Sequence, residues 1–335
     1  MRPLRVLFVG GTGVISTACV AEAIRQGHEV HLLHRGAEQR RPVPDAAVVH
    51  VGDIRDEESV RAALRGDDGD LHFDVVAEFL AFTPEHIETD LRLFEGRTRQ
   101  YVFISSASAY QTPPTHLPVT ESTPLRNPFW EYSRNKIACE DRLIAAYRES
   151  GFPVTVVRPS HTYDHTLVPF DGGWTAVARM RAGKPVVVHG DGTSLWTITH
   201  STDFARGFAG LLGRAEAIGE AFHITGGESP TWNAIYAEMA RAAGVSDPDL
   251  VHVPSDAIAA ADPEWGAALL GDKAHSMVFD NTKISRLAPG MRTTVPFARG
   301  AEEIVAWYDA HPEAQVVDPH YDALMDELAE RYRPR

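Results

Sequence analysis

The first half of the chain alternates short apolar runs with helical patterns, and this order restricts the fold more than any other feature. The apolar runs cover 6–9, 28–33, 75–80, 101–104 and 154–157, and helical patterns over 17–26, 57–64, 85–94 and 131–149 lie among them. The runs are continuous rather than alternating, as expected of strands that are buried on both faces. The order therefore predicts a parallel sheet with helices packed against both faces.

A glycine-rich turn lies between the first apolar run and the first helical pattern. Residues 10–13 read Gly-Gly-Thr-Gly, a sequence that in this context is typical of a dinucleotide-phosphate site. Gly10 allows the tight turn, and Gly13 lets the backbone approach the pyrophosphate. Ser16 stands where a third glycine is usual and is still small enough for close packing of the helix on the strand. Taken alone, the motif also fits an ordinary strand–turn–helix corner.

The length of the chain requires a second structural unit, because 335 residues exceed the roughly 100 to 200 residues of one domain. Glycine and proline punctuate 159–192, which predicts mainly loops, and helical patterns return over 202–212, 231–243, 299–311 and 321–331. The sequence predicts an α/β protein with a Rossmann-type, doubly wound parallel sheet over 1–165 and a return segment near 195–225. Residues 166–335 are expected to form mainly a smaller, partly interwoven C-terminal lobe that binds the substrate.

The charge balance limits the kinds of partner. The chain has 32 Lys and Arg against 46 Asp and Glu, a formal net charge of −14, which argues against nucleic acid and anionic membranes as partners. Cys19 and Cys139 cannot form a disulfide framework and fit a reducing compartment. No apolar run approaches the roughly 18 residues of a membrane-spanning helix. We therefore expect a cytoplasmic protein without a membrane or nucleic-acid partner.

The end of the second predicted strand indicates which dinucleotide is preferred. An acidic residue there usually holds the ribose of NAD, whereas an arginine accommodates the extra phosphate of NADP. The chain has His34 where the acid is expected and Arg35 beside it, which favours NADP. An ordinary solvated role for Arg35 is the alternative. After the third strand, Asp53 is placed to meet the adenine amino group.

A tyrosine and a lysine lie four positions apart in the helical pattern 131–149, so that Tyr132 and Lys136 share one face of the helix. A tyrosine with its ordinary pKa of about 10 is a poor base at neutral pH, but a neighbouring cation favours the phenolate. Upstream, hydroxyl side chains at 105–108 follow another apolar run. They are therefore expected at the carboxyl edge of the sheet, where ligands bind in such folds.

Together these motifs resemble the extended short-chain dehydrogenase/reductase family, in an atypical branch of its NAD-dependent epimerase/dehydratase members. The resemblance covers most of the chain. It further includes 52–56 (Gly-Asp-Ile-Arg-Asp), 158–159 (Arg-Pro), 190–193 (Gly-Asp-Gly-Thr), His200 with Asp203, 280–283 (Asp-Asn-Thr-Lys) and 307–308 (Trp-Tyr). The fourth strand, 74–82, departs from the family's usual histidine followed by small residues, as in the atypical branch that includes chloroplast RNA-binding relatives.

The resemblance implies roles for particular residues. Tyr132 is the implied acid/base, Lys136 lowers its pKa and holds the nicotinamide ribose, and Ser106 hydrogen-bonds the reacting oxygen. A mere surface pair of Tyr132 and Lys136 is the alternative. The expected cofactor contacts are Gly10, Thr12, Gly13, Val14, Ile15, His34, Arg35, Asp53, Ile54, Leu80, Ser105, Tyr132, Lys136, Pro159, Ser160 and His161. The expected substrate contacts are Phe82, Ser108, His161, His165 and Trp196.

Departures from the family pattern reduce the range of reactions and substrates that we expect. Ala107 and Ser108 replace the acidic residue or pair that dehydratases and decarboxylases of the family carry, which argues against dehydration. Trp196 replaces an arginine that commonly holds the diphosphate of a nucleotide sugar. This tryptophan either stacks on a ring of the substrate or packs under the second lobe. His161 and His165 have a spacing that a metal pair can use, but no Cys or Glu cluster accompanies them, so we expect no metal.

The sequence thus predicts an enzyme that uses NADP or NAD to oxidise and re-reduce a secondary alcohol of a sugar-like small molecule, giving epimerisation. Net oxidation or reduction is the closest alternative, and a preference for NADP favours it. A cofactor-sensing or RNA-binding protein of the same fold is the alternative from another class. The complete catalytic set and the negative charge argue against that alternative. The resemblance implies a homodimer, with 85–94 and 131–149 as candidate interface helices.

The cofactor preference is testable by isothermal titration of the purified protein with NADP and with NAD. We expect the dissociation constant for NADP to be lower by about tenfold or more, because Arg35 adds a charge-assisted hydrogen bond to the extra phosphate. A clear preference for NAD would contradict this interpretation of Arg35.

Overall fold

Seven parallel strands form the central sheet of the computed structural model, which describes residues 2–36, 41–66 and 69–333. Counting the strands outside this sheet as well, the strands in chain order are β1 Arg5–Val9, β2 Glu29–His34, β3 Val48–Val51, β4 Arg65–Gly66, β5 Gly69–Asp70, β6 Val75–Glu78, β7 Tyr101–Ile104, β8 Val154–Pro159, β9 His161–Tyr163, β10 Val186–His189, β11 Ile198–His200, β12 Ala221–Ile224 and β13 Leu250–Val253. The α-helices are α1 Ser16–Arg25, α2 Glu57–Ala63, α3 Pro84–Phe94, α4 Glu131–Ser150, α5 Trp174–Arg181, α6 Ser201–Ala209, α7 Trp232–Ala242, α8 Ser255–Ala261, α9 Pro263–Ala268, α10 Thr282–Leu287, α11 Phe297–Ala310 and α12 Pro319–Tyr332. Within these ranges, no helix combines the length and the apolar character needed to cross a bilayer.

The strands of the central sheet follow the order β12–β8–β7–β6–β1–β2–β3, and each neighbouring pair is parallel. This confirms the doubly wound α/β sheet that the sequence predicts. β1 lies between β2 and β6, so the direction of winding reverses at β1. At such a reversal the loops after neighbouring strands diverge and open a crevice at the carboxyl ends of the strands.

Side chains of β1 illustrate why the strands are apolar without alternation. Phe8 belongs to the apolar cluster beneath α1 and α6, and Val9 belongs to the cluster beneath α3 and α4. Both side chains are fully buried. Helices therefore cover both faces of the sheet, and apolar side chains of β1 fill the space on both sides.

The second half of the chain leaves the sheet after β8 and returns to it once. β12 pairs with β8 at the edge of the sheet, and α6, which precedes it, packs against α1. Outside the sheet, β10 pairs with β13, and β9 pairs with β11. Side chains from α5, α7, α11 and α12 share a separate apolar cluster there. This part of the chain thus has a core of its own.

The segment 159–192, predicted to be mainly loops, also contains β9, α5 and β10, and the rest of it is irregular. Gly172 and Gly173 directly precede α5 and Gly183 follows it, all with positive φ. These glycines mark the ends of a helix rather than its absence. A Cβ at Gly172 would lie 2.9 Å from the Cβ of Tyr321, so the close approach of α12 also requires glycine.

A buried ion pair joins α4 to the sheet. The guanidinium of Arg158 on β8 donates to both carboxylate oxygens of Glu140, at 2.9 Å from Nε and 2.6 Å from Nη2. Glu140 also accepts a hydrogen bond from the hydroxyl of Ser105. Only 6% of the Arg158 side chain and 4% of the Glu140 side chain is exposed. Since α4 carries Tyr132 and Lys136, this pair helps to fix the helix against the ends of the strands.

Removing one partner of this pair is expected to destabilise the protein strongly. Glu140→Ala leaves the Arg158 cation buried without its counter-charge, and we expect the free energy of unfolding to fall by about 3–5 kcal/mol. The matched control is Glu88→Ala, which breaks the half-exposed pair of Glu88 with Arg142 and should cost less than about 1 kcal/mol. Urea denaturation measures both changes. Equal losses in the two variants would contradict a structural role for the buried pair.

Candidate active site

A cavity of about 880 Å³ opens at the carboxyl ends of the parallel strands. Its walls are formed by 10–16, 33–35, 52–55, 79–80, 82, 104–108, 130, 132, 136, 159–162, 196–197, 272, 277 and 279. All of the catalytic and cofactor-binding residues expected from the sequence lie in these walls. The expected substrate residues Phe82, Ser108, His161 and Trp196 do so as well. The structure thus brings one set of side chains from distant parts of the sequence to a single cavity, while their roles stay predictions.

The glycine-rich turn has the backbone that a phosphate site needs. Gly10 and Gly11 have φ angles of +102° and +109°, and a Cβ at Gly11 would lie 2.9 Å from Cδ2 of Leu32. Around Gly13, only the hydroxyl of Ser16 lies within 4 Å of where a Cβ would be. Ser16 accepts a hydrogen bond of 2.8 Å from the Gly13 N–H, so it closes the turn where a glycine is usual. The first turn of α1 contains no acidic residue, and the turn therefore fits an anionic phosphate.

Residues at the ends of β2 and β3 line the same side of the cavity. His34 accepts a hydrogen bond of 3.1 Å at Nδ1 from the Gly36 N–H, and Arg35 is exposed at the rim. Asp53 accepts a hydrogen bond of 2.9 Å from the Arg55 N–H, which holds its carboxylate beside the cavity. This arrangement fits the ribose and adenine end of a dinucleotide.

Lys136 is held by the ends of two strands rather than by an acidic partner. Its ammonium donates to the carbonyl oxygens of Ala81, at 2.7 Å, and Ile104, at 2.8 Å. It also lies 4.6 Å from the ring centroid of Phe82, and its side chain is 1% exposed. Two of the three ammonium N–H groups are therefore engaged by carbonyl oxygens in a buried position. The remaining N–H is available for a ribose hydroxyl.

Tyr132 lies one helical turn before Lys136, between two aromatic rings. Its ring centroid is 4.9 Å from that of Trp130 and 6.4 Å from that of Phe82. The ammonium of Lys136 lies 5.8 Å from the same centroid. Ser106 lies close enough to the Tyr132 hydroxyl to lower the pKa of that phenol, so the two groups expected to contact the reacting oxygen are adjacent.

The low pKa that the family resemblance implies for Tyr132 is not found in the chain itself. Burial raises the pKa of Tyr132 to about 12, and the nearby hydroxyl of Ser106 opposes this only in part. Burial also lowers the pKa of Lys136 to about 8, which weakens its influence as a cation. Tyr132 is therefore protonated at neutral pH and is prepared to donate a proton.

Three serine hydroxyls form a chain behind the cavity. The hydroxyl oxygens of Ser106 and Ser108 are 2.8 Å apart, and Ser133 donates a hydrogen bond of 2.7 Å to Ser108. Ser108 also donates its backbone N–H to the Ser106 hydroxyl oxygen at 3.2 Å. Although Ser108 lines the cavity, these contacts make it a support for Ser106. Its expected contact with the substrate stays a prediction.

The C-terminal half of the chain closes the cavity with mainly aromatic and apolar side chains. Trp196 is 2% exposed, and its ring centroid lies 6.4 Å from that of His161 and 5.7 Å from that of Trp232. Trp196 therefore lines the cavity and also packs in the apolar cluster of the C-terminal half of the chain. Burial lowers the pKa of His161 to about 4, so this imidazole is neutral at physiological pH.

The expectation for His165 is wrong, because this residue does not line the cavity. It is exposed, and its ring packs edge-on against Trp307 at 6.0 Å between centroids. His161 lies on β9, whereas His165 lies in the turn beyond that strand. A spacing of four residues brings side chains together in a helix, but here the chain is not helical.

Sequence reasoning missed several cavity residues, notably Trp130, Asp272, Met277 and Phe279. Trp130 directly precedes α4, so its position next to Tyr132 in the sequence was a usable signal. The others come from a distant segment that β-bridges join to the site: Met277 pairs with Trp196, and Phe279 pairs with Val119. No local motif in the sequence predicts bridges between segments that lie so far apart in the chain.

The fold is that of a Rossmann-type α/β protein, and its cavity brings together the residues predicted to form a catalytic set of the short-chain dehydrogenase type. A family model described as "NAD dependent epimerase/dehydratase family" matches residues 6–225. The chain belongs to this family. The class prediction from the sequence is thereby confirmed, including a nicotinamide cofactor.

The names of relatives of this chain describe different functions. The chain is 27% identical over 341 residues to the 2'-dehydrokanamycin reductase of Streptomyces kanamyceticus, a match covering 98% of this chain and 90% of the reductase. It is 26% identical to the chloroplast stem-loop binding protein of 41 kDa b of Arabidopsis thaliana, over 74% of this chain and 65% of that protein. It is 30% identical to the UDP-glucose 4-epimerase of Lactobacillus helveticus, over 46% of this chain and 51% of the epimerase. The dTDP-glucose 4,6-dehydratase of Bacillus anthracis, solved with NAD, has the same fold, with a TM-score of 0.73 at 20% identity over 92% of this chain and 98% of that chain.

Adding a methyl group at Gly13 tests whether the turn holds a phosphate. Gly13 has no positive φ, so Gly13→Ala requires little change of backbone, and the new Cβ would occupy space at the cavity wall. We expect the dissociation constant for NADP to rise by about tenfold or more, with an unchanged urea midpoint. Gly13→Ala with unchanged affinity for both NADP and NAD would contradict the phosphate site.

Proposed function

We propose that the protein is a nicotinamide-dependent reductase that converts a ketone of a sugar-like small molecule to a secondary alcohol, with net consumption of the reduced cofactor. The observation that carries this proposal is that Ser106, Tyr132 and Lys136 line one cavity, with the ammonium of Lys136 5.8 Å from the ring centroid of a protonated Tyr132. We further propose that residues 166–335 supply the substrate-binding lobe and that NADPH is the cofactor, from the position of Arg35 at the rim.

Each of the three proposed catalytic residues has a different role in the reduction of the carbonyl group. Ser106 hydrogen-bonds the carbonyl oxygen, oriented for this by its contacts with Ser108. Tyr132 donates the phenolic proton to the same oxygen, and the resulting tyrosinate recovers a proton from solvent. Lys136 stabilises the tyrosinate electrostatically from its fixed position between the strand ends. When bound, the reduced nicotinamide supplies the hydride that the carbonyl carbon accepts.

At neutral pH, Tyr132 is in the protonated form that ketone reduction needs. Ketone reduction needs a proton donor, whereas alcohol oxidation needs a base. With a pKa of about 12, Tyr132 is a donor at neutral pH. Oxidation is expected to require a higher pH, because the phenol must first lose its proton.

Net reduction also agrees with the relatives. The relative that matches 98% of this chain is named as a reductase of 2'-dehydrokanamycin, whereas the epimerase matches 46%. Among the described residues, the cavity wall formed by the chain beyond residue 160 contains no Lys or Arg that could hold a nucleotide diphosphate. A sugar-like substrate without a nucleotide therefore fits this wall better.

Epimerisation through a transient ketone, the function favoured by the sequence alone, is the second candidate. It uses the same Ser106 and Tyr132 and is supported by the family and by the UDP-glucose 4-epimerase relative. Dehydration is disfavoured, because Ala107 and Ser108 occupy the positions after Ser106 where dehydratases of the family carry acidic residues. The homodimer through α3 and α4 stays a prediction from the resemblance.

The proposal is tested by following the absorbance of NADPH while the enzyme is incubated with a panel of ketosugars and keto-aminoglycosides, 2'-dehydrokanamycin among them. We expect oxidation of NADPH in a one-to-one ratio with the alcohol formed. Tyr132→Phe should lower kcat by about 10²–10⁴-fold, since the proton donor is lost, while the dissociation constant for NADPH stays within about twofold.

The matched control is Tyr147→Phe, which removes the hydroxyl of a half-exposed tyrosine near the other end of α4 and should leave kcat unchanged. Product formed without consumption of cofactor would support the epimerase instead. Full activity of Tyr132→Phe would refute both candidates. Tight, salt-sensitive RNA binding without turnover would support a non-catalytic role like the one in the name of the chloroplast relative.

A further inference from the structure

The part of the cavity wall formed beyond residue 160 carries one formal charge among the described residues, the carboxylate of Asp272. The other residues of this wall are neutral at physiological pH: His161, Thr162, Trp196, Thr197, Met277 and Phe279. The cations that line the cavity, Arg35, Arg55 and Lys136, all come from the first half of the chain. The charge that this wall can present to a substrate is therefore negative, and Asp272 carries it when its carboxyl group is deprotonated.

Asp272 lies in a π-helical turn, Leu269–Lys273, that is fixed on both sides of it. The side-chain amide of Asn127 donates to the carbonyl oxygen of Gly271 at 2.6 Å and to that of Ser108 at 2.8 Å. The turn is thus joined to the loop that carries Ser106. Single π-helical turns are frequent at functional sites, and this one is tied directly to the catalytic set.

The other side of the turn is fixed through the carbonyl oxygen of Lys273. It accepts hydrogen bonds from the hydroxyl of Ser194 at 3.2 Å and from the indole N–H of Trp232 at 3.2 Å, and Nε2 of His189 lies 3.1 Å away. Asp272 is therefore held between two anchored residues. These contacts set the backbone position of Asp272, so little backbone entropy is lost when it binds a ligand.

The carboxylate of Asp272 has no ion pair or hydrogen bond within the part of the chain that the structure describes. The adjacent ammonium of Lys273 is engaged elsewhere, at 3.1 Å from both carboxylate oxygens of Asp171. Burial raises the pKa of Asp272 to about 7. A partly buried carboxylate without a partner is costly, and a cationic ligand would remove that cost.

The surroundings of Asp272 fit a sugar ring that carries an amine. Its charge acts on Tyr132, so the carboxylate is close to the catalytic end of the cavity. Aromatic rings of Trp130, Trp196 and Phe279 line the same space and can pack on the faces of a sugar or of an alkylammonium group. The buried indole N–H of Trp196 has no hydrogen-bond partner among the described residues, and it can donate to a sugar hydroxyl.

We propose that Asp272 binds a protonated amine of the substrate, so that the site selects a cationic amino sugar over a neutral or anionic one. This inference rests on the proposed function and specifies its substrate class. Asp272 is then a specificity residue that places the ring of the substrate against Tyr132 and Ser106. The absence of lysine and arginine from the same wall, within the described residues, disfavours phosphorylated and carboxylated sugars.

The test compares kanamycin with its fully N-acetylated form by isothermal titration of the protein saturated with NADP. The wild-type protein should bind kanamycin more tightly by about tenfold or more, because acetylation removes the cationic groups. Asp272→Asn should weaken the binding of kanamycin by about ten- to hundredfold, the loss expected for one charge-assisted hydrogen bond. Asp272→Glu, which keeps the charge, should retain part of the preference.

The matched control is Asp247→Asn, which removes the same charge from an exposed loop of the same half of the chain and should keep the full preference. An unchanged affinity of Asp272→Asn for NADP shows that the site is still folded. Retention of the full preference by Asp272→Asn would overturn the inference. So would equal affinity of the wild-type protein for the two probes, or no binding of either.

Kinetics separate the failure of this inference from the failure of the proposed function. If a neutral ketosugar is reduced with dependence on Tyr132 but amines give no advantage, only the role of Asp272 is refuted. If no ketone is reduced at the expense of NADPH, the proposed function itself fails. A loss of kcat without a rise in KM in Asp272→Asn would identify a proton-transfer role and overturn recognition of the amine.

Discussion

The buried ammonium of Lys136 is the contact on which the geometry of the site depends. A charge with 1% exposure is costly unless it is solvated by the protein, and here the carbonyl oxygens of Ala81 and Ile104 replace water. Ile104 is the last residue of β7 and Ala81 lies shortly after β6, so the ammonium fixes α4 against the ends of these strands. Tyr132, one turn earlier on α4, is thereby placed beside Ser106. The buried pair of Glu140 and Arg158 secures the same helix further along.

Charge is distributed unevenly around the cavity, and this distribution matches two different ligands. The first half of the chain contributes Arg35, Arg55 and Lys136 together with the N-terminus of α1, which suits an anionic dinucleotide. The second half contributes Asp272 among aromatic side chains. The overall charge of −14 argues against broad binding of polyanions, but it does not prevent a local cationic site for phosphates.

Local patterns in the sequence predicted the sheet, the turn at 10–13 and the pair of Tyr132 and Lys136, because their meaning depends on neighbours within one or two turns of the chain. Asp272 could not be predicted in this way. Its place follows from contacts of Asn127 with Gly271 and from the bridge of Met277 to Trp196, which join segments far apart in the sequence.

Two expectations differ from the structure. The glycines around α5 were interpreted as signs of loops, although they also mark the ends of a helix that the second core stabilises. His165 was expected among the substrate contacts from the family resemblance, but its ring packs against Trp307 and does not line the cavity.

The most direct measurement of net reduction at this site uses NADPH deuterated at the hydride-donating carbon, with 2'-dehydrokanamycin as the ketone. Mass spectrometry of the product then shows where the deuterium is. We expect one deuterium on the carbon of the new alcohol, and Tyr132→Phe should slow its appearance by the same factor as it lowers kcat. Alcohol formed without deuterium, or no transfer of deuterium to this or any other ketosugar, would contradict net hydride transfer in this cavity.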